Sequence, residues 1–206
     1  MSKASRNATR ERHERRRRTG RWRVVGAAAA VVLAAGAGFL IFGRAKREGG
    51  GVPDFAIAAY QGQDVLGGDR ANFAPLVGQG KPVVLNFWAA LCPPCRAEMP
   101  GFQRVFDDFG TQYVMVGVDV GPYTGLGSHD DARAFLRDNA ISYPTAYATS
   151  GTPLQRYAVQ GMPTTVIFDA DGNQVYKRTG YFAEAQLRRQ LEPLLAEAGA
   201  TPSGNP

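Results

Sequence analysis

Cys92 and Cys95 are the only cysteines of the chain, and Pro93-Pro94 stands between them. Two thiols three positions apart can close a small disulfide loop. Such a loop removes little entropy from the unfolded chain, so the pair is better explained by reactivity than by stapling. The apolar run Val83-Val84-Leu85-Asn86-Phe87-Trp88-Ala89 leads into it and reads as a strand buried on both faces. Pro93 to Phe109 reads as a helix, with Phe102, Val105, Phe106 and Phe109 on one stripe and Pro100 as a kink. Cys92 then stands at a helix N-terminus, where unsatisfied N–H groups and a partial positive charge favour thiolate over thiol. That makes Cys92 the attacking sulfur. Cys95, one turn on, is placed to resolve a mixed disulfide by internal attack. Pro93 and Pro94 suit the first helical turn, where a missing N–H costs nothing.

A metal site is the competing use of two cysteines. Tetrahedral zinc takes about four ligands. The chain adds only His13 and His129 to the pair, and His13 is assigned to the far side of a membrane, so no complete Cys/His zinc site forms within one chain. No cofactor is implied.

The elements that must hold the dithiol follow from patterning. Phe55 to Tyr60 and Asp64 to Leu66 flank Gln61-Gly62-Gln63, which predicts strand, turn and strand: an N-terminal hairpin extension. Asn72 to Val77 is one short helical turn. Gln112 to Asp119 is a second buried strand, and Asp130 to Asn139 a helix with Ser128 or His129 near its cap. Tyr143-Pro144 and Thr152 to Tyr157 read as less regular. Pro163 to Asp169 and Asn173 to Gly180 form a hairpin about Asp171-Gly172, and Ala183 to Ala198 is a last amphipathic helix. Alternating strands and helices closed by a hairpin and helix predict an α/β domain, a mixed sheet flanked by helices on both faces.

Charge divides the chain. The net charge of +6 sums two opposite parts: residues 1–47 carry 13 of the 24 Lys/Arg and 2 of the 18 Asp/Glu, leaving 11 against 16 in the remainder. The high pI therefore belongs to the tail, and nucleic-acid binding by the folded part loses its main support. Val24 to Phe42 holds 19 residues without a charge, roughly 28 Å of helix against a hydrocarbon core of about 30 Å. Ten Lys/Arg precede it and three follow, which predicts a cytoplasmic N-terminus and a domain outside. A cleaved signal peptide is the alternative, with Ala35-Gly36-Ala37 as the cleavage stretch, but Phe39-Leu40-Ile41-Phe42 extends the apolar run beyond it. The expected organisation is a basic tail at 1–23, a transmembrane anchor at 24–43 in the lipid bilayer, a linker at 44–51, the domain at 52–198 and a disordered tail at 199–206.

Asn86 to Pro100, reading NFWAALCPPCRAEMP, resembles the active-site segment of the TlpA/ResA-type family, membrane-anchored thioredoxin-like proteins that work outside the cytoplasm. Gly161-Met162-Pro163-Thr164-Thr165 is similar to the thioredoxin-superfamily loop that presents a cis-proline beside the cysteines. The likeness spans about residues 52–197. It implies a thioredoxin-like fold with Cys92 and Cys95 as a redox disulfide, a cis Pro163, and a Met162 backbone free to pair with a polypeptide substrate. Trp88 is implied beside the dithiol, among the substrate-binding residues or in the core. Glu98 matches an acidic position that lies near the cysteines in some members, where it passes protons to or from Cys95; a solvated helix-face carboxylate is the plain alternative. Asn86 departs from thioredoxin, which has a buried aspartate there. The resemblance further implies a single-pass protein of the cell membrane that reduces protein disulfides, some relatives serving cytochrome c maturation, with a CcdA/DsbD-type membrane electron donor.

Two other functions compete. Peroxiredoxins share the fold and the Pro53-Asp54-Phe55 opening, but need Pro and Thr seven and three residues before the reactive cysteine, where Leu85 and Ala89 stand. A copper-delivery protein would use both cysteines with a distant histidine, for which only His129 is available.

Overall fold

A computed structural model describes residues 51–199. The basic tail, the expected 24–43 span and nearly all of the linker and C-terminal tail lie outside the described residues. Among the described residues no helix is long and apolar enough to cross a membrane.

Seven strands form one mixed sheet. In chain order they are β1 (Ala56–Gln61), β2 (Arg70–Asn72), β3 (Val83–Trp88), β4 (Val114–Asp119), β5 (Thr145–Ala148), β6 (Thr164–Phe168) and β7 (Gln174–Thr179). Their spatial order is β2-β1-β5-β4-β3-β6-β7, so β3 lies inside the sheet. It runs parallel to β4 and antiparallel to β6. All six of its residues are buried, five of them apolar and the sixth Asn86.

The pleat of β3 divides the core in two. Val84 and Trp88 face one cluster with Met99, Phe102 and Val105 of α2 (Pro93–Phe109), Phe135 and Leu136 of α4 (His129–Asp138), and Leu187 and Leu191 of α6 (Glu184–Gly199). Val83, Leu85 and Phe87 face the other. That second face carries a cluster of Phe55, Phe73, Phe87 and Tyr157 rings, supplied by the N-terminal extension, by β3 itself and by the residue that follows α5 (Thr152–Arg156). It thus has less helical cover than predicted.

Three local expectations change. The extension is hairpin-like, but the partner of β1 is β2, not Asp64 to Leu66. Residues Gln63–Leu66 form the short helix α1 instead. Gly62 adopts φ +77 there and lies so close to Pro144 that a Cβ would stand 2.8 Å from its Cα; Leu66 is buried. Asn72 ends β2, and the helical turn is the shorter 3-10 segment Ala74–Leu76. The stretch after Tyr143, read as irregular, contains β5, which pairs with both β4 and β1. Thr-Ala-Tyr-Ala offers no apolar alternation to mark a strand; its pairing partners hold it extended. The short helix α3 (Gly121–Thr124) also follows β4.

Candidate functional site

Strand β3 delivers its chain to the dithiol. Beyond Trp88, three residues lead to Cys92, which is the N-cap of α2 with extended backbone; Pro93 and Pro94 fill the first two helical positions. The sulfur of Cys92 accepts the Cys95 N–H at 3.4 Å, a side-chain cap for an otherwise unpaired helix donor. Cys92 and Cys95 are joined as a disulfide, with Cα atoms 5.3 Å apart. Access separates the two sulfurs: Cys92 keeps 3% of its surface and Cys95 none.

Solvent reaches Cys92 through a groove of about 440 Å³. Pro93 and Pro94 form one side, Thr124 and Leu126 another, and Leu154, Val159 and Met162 line the rest. No charged side chain lines it. The Met162–Pro163 peptide is cis. Gly180 N–H donates to the Pro163 carbonyl at 2.8 Å, and Thr164 Oγ1 to the Gly161 carbonyl at 2.7 Å, which pins the loop. The Met162 N–H and C=O have no hydrogen-bond partner among the described residues. A main-chain donor and acceptor thus stand free beside the accessible sulfur.

Glu98 lies one turn beyond Cys95 on the inward face of α2 and is 1% exposed. Its Oε1 accepts from Asn86 Nδ2 at 2.8 Å and its Oε2 from the Phe182 N–H at 2.9 Å. Burial pushes the carboxyl up to about 8, against the pull of those two hydrogen bonds and of the Arg178 charge. The solvated-carboxylate alternative is thus excluded. Asn86 Nδ2 also donates to Thr165 Oγ1 at 3.1 Å, while its Oδ1 has no partner. A half-turn of that amide would offer Oδ1 to a protonated Glu98, so the pair accommodates either state of the acid.

Trp88 needs a correction. Its side chain is fully buried in the cluster that contains both cysteines, and its ring centroid lies 5.7 Å from that of Phe135. It offers no surface to a docked chain, so it packs beneath the dithiol and does not contact substrate. His129 stands apart: the Tyr60 hydroxyl is 2.7 Å from its Nδ1. Among the described residues no group of three or more His, Cys, Asp or Glu is placed to hold a metal ion. The groove residues Thr124, Leu126, Leu154 and Val159 carry no sequence signal, because they come from separate loops and helices that only folding brings together.

The AhpC/TSA family profile matches residues 49–177, more than half of the chain. The chain belongs to that family. Among curated proteins it is similar to the thiol-disulfide oxidoreductase ResA of Bacillus subtilis, 29% identical over 141 residues, covering 68% of this chain and 72% of that protein. It is also similar to the thioredoxin-like protein YneN of the same organism, 27% identical over 146 residues, covering 71% and 79%. A secreted Mycobacterium tuberculosis disulfide oxidoreductase superposes with a TM-score of 0.52 at 25% identity, over 68% of this chain and 95% of that one. StoA of Bacillus subtilis, at 21% identity and a TM-score of 0.54 over 68% and 97%, shows the shared fold. The fold is thioredoxin-like, and with its own CxxC disulfide the chain takes its place among the ResA/TlpA-type thiol–disulfide oxidoreductases.

Proposed function

We propose that the chain exchanges disulfides with polypeptide substrates outside the cytoplasm, as a reductase tethered to the cell membrane. One observation carries the reading: a disulfide with a single accessible sulfur opens into an uncharged groove whose wall presents the unpaired Met162 main chain. An extended substrate can add to Met162 as a strand and so bring its own sulfur to Cys92.

In the reducing direction, the Cys92 thiolate attacks a substrate disulfide sulfur. One substrate cysteine leaves as a thiolate, and a mixed disulfide to Cys92 forms. Cys95 then gives its proton to Glu98 and attacks the Cys92 sulfur, releasing the second substrate thiolate. The enzyme ends as the disulfide, with the proton held on Glu98, the state its raised pKa favours. Glu98 follows Cys95 by three residues on the inward face of α2, is buried away from water and accepts from Asn86 at 2.8 Å, which supports this role.

The uncharged segment at 24–43 and the excess of Lys/Arg before it support a single span with the domain outside. Residues 52–198 would be the catalytic domain and 44–51 its tether. A membrane donor of the CcdA/DsbD type would recharge the dithiol, and cytochrome c maturation is the process the ResA likeness favours. A peroxidase reading finds no support at the sulfur: Leu85 and Ala89, where peroxide-binding groups would stand, are apolar and fully buried.

The test is trapping. Cys95→Ser should accumulate mixed disulfides on Cys92, seen on non-reducing gels of the full chain, whereas Cys92→Ser should trap none. Equal trapping by both variants would overturn the assignment.

A further inference from the structure

A second polar cluster lies beside the site and takes no part in the chemistry just described. Asp119 ends β4 and is 1% exposed. Its Oδ1 accepts the Gly121 N–H at 2.8 Å and its Oδ2 the Tyr60 O–H at 2.8 Å. The hydroxyl oxygen of Tyr60 stands 2.7 Å from His129 Nδ1, and that nitrogen lies 3.5 Å from Asp119 Oδ2. Each hydrogen finds one acceptor if His129 carries its proton on Nδ1 and donates to Tyr60. The Tyr147 ring covers the imidazole at 4.2 Å between centroids, and the Arg133 guanidinium lies 5.2 Å over the Tyr60 ring.

What these bonds enclose is a segment of chain. Asp119 precedes residues 120–128 and His129 follows them, so both ends of the segment close on one carboxylate. Its middle rests on the approach to the dithiol: Leu91 N–H donates to the Leu126 carbonyl at 2.8 Å. Gly127, at φ +122, packs so closely that a Cβ would stand 3.2 Å from Leu91 Cγ and 3.3 Å from Ala90 Cβ. Ser128 caps α4, with its hydroxyl and N–H on Asp131 at 2.7 and 2.8 Å. From this segment Thr124 and Leu126 project into the groove of Cys92.

We propose that Tyr60, Asp119 and His129 are positioning residues that hold 120–128 as one wall of the substrate groove, and so govern capture of polypeptide disulfides without entering the exchange step. The proposal rests on the dithiol reading above. A small disulfide needs only the sulfur, whereas a polypeptide must also fit between this wall and Met162. Loosening the wall therefore weakens polypeptide binding alone.

The experiment compares insulin, as a polypeptide disulfide, with 5,5′-dithiobis(2-nitrobenzoate), as a small one, using the full chain and its Tyr60→Phe, His129→Gln and Asp119→Asn variants. For insulin, KM should rise about threefold in Tyr60→Phe and about tenfold in Asp119→Asn, with kcat unchanged. The small-disulfide rate should stay at the wild-type value in every variant that melts as wild type does. If Asp119→Asn fails to fold, Tyr60→Phe and His129→Gln carry the test. An unchanged insulin KM in the folded variants would overturn the proposal, as would an equal loss of rate on both disulfides. Failure of the wild-type chain with both disulfides would instead sink the dithiol reading itself, a distinguishable result.

Discussion

Glu98 and Asp119 are the two buried carboxylates among the described residues, and burial raises the pKa of each. Their surroundings differ in a way that separates chemistry from architecture. Glu98 accepts from two neutral groups, a side-chain amide and a backbone N–H, and it stands one turn from a reactive sulfur. Asp119 accepts from the backbone at one oxygen and from Tyr60 at the other, with the half-exposed His129 beside it. A carboxyl whose neighbours tolerate either protonation state can move a proton. One whose hydrogen bonds fasten a loop at both ends loses that hold when it changes state.

The sharpest way to break this contrast is Glu98→Gln. The raised pKa means that the folded chain keeps a proton which the unfolded chain releases, so the contribution of Glu98 to stability is greatest at low pH. It should fall by up to about 5 kcal/mol as pH rises from 4.5 to about 8. Glu98→Gln should flatten that slope in urea titrations across this window, leaving only the share that the other raised carboxyl, Asp119, contributes, and should slow release of the mixed disulfide. An undiminished slope would move the titration to another group.

Asp119→Ala comes next. It leaves the Gly121 N–H and the Tyr60 O–H without their acceptor, and should cost about 3 kcal/mol in chemical denaturation at neutral pH. A loss below that of a surface substitution would show that water replaces the carboxylate, and the clamp would be discounted. Tyr60→Phe removes one hydroxyl and should cost about 1 kcal/mol. Combined with Asp119→Ala it should cost less than the sum of the two, because both remove the same bond. Smallest is Ser128→Ala, which deletes the α4 capping box for about 1 kcal/mol or less. Its fluorescence melt should show a small drop with the dithiol reactivity intact.

Much of the site could be read from the chain because it is local. The helix at Pro93–Phe109, its start at the cysteines and the hairpin after Pro163 were all expected from patterning, and the structure has them. Strand β5 escaped because four residues of mixed character carry no periodic signal; pairing with two neighbours makes them a strand. The state of Glu98 could not be read either. Its i+3 spacing from Cys95 put it on the right face of α2, but its burial depends on α6 and on the turn through Phe182, more than eighty residues away. Trp88 was open in sequence between packing and contact, and the helices above it settled the matter in favour of packing.

Residue order alone established the dithiol, its place at a helix start, the proline loop that follows and the division of charge between tail and domain. These features arise within a few neighbouring residues, where backbone geometry and local hydrogen bonding leave little choice. Which sulfur meets solvent, which acid stays dry and which segments wall the groove depended on how distant elements close over one sheet. Burial is a property of the packed whole, and no short window of sequence contains it.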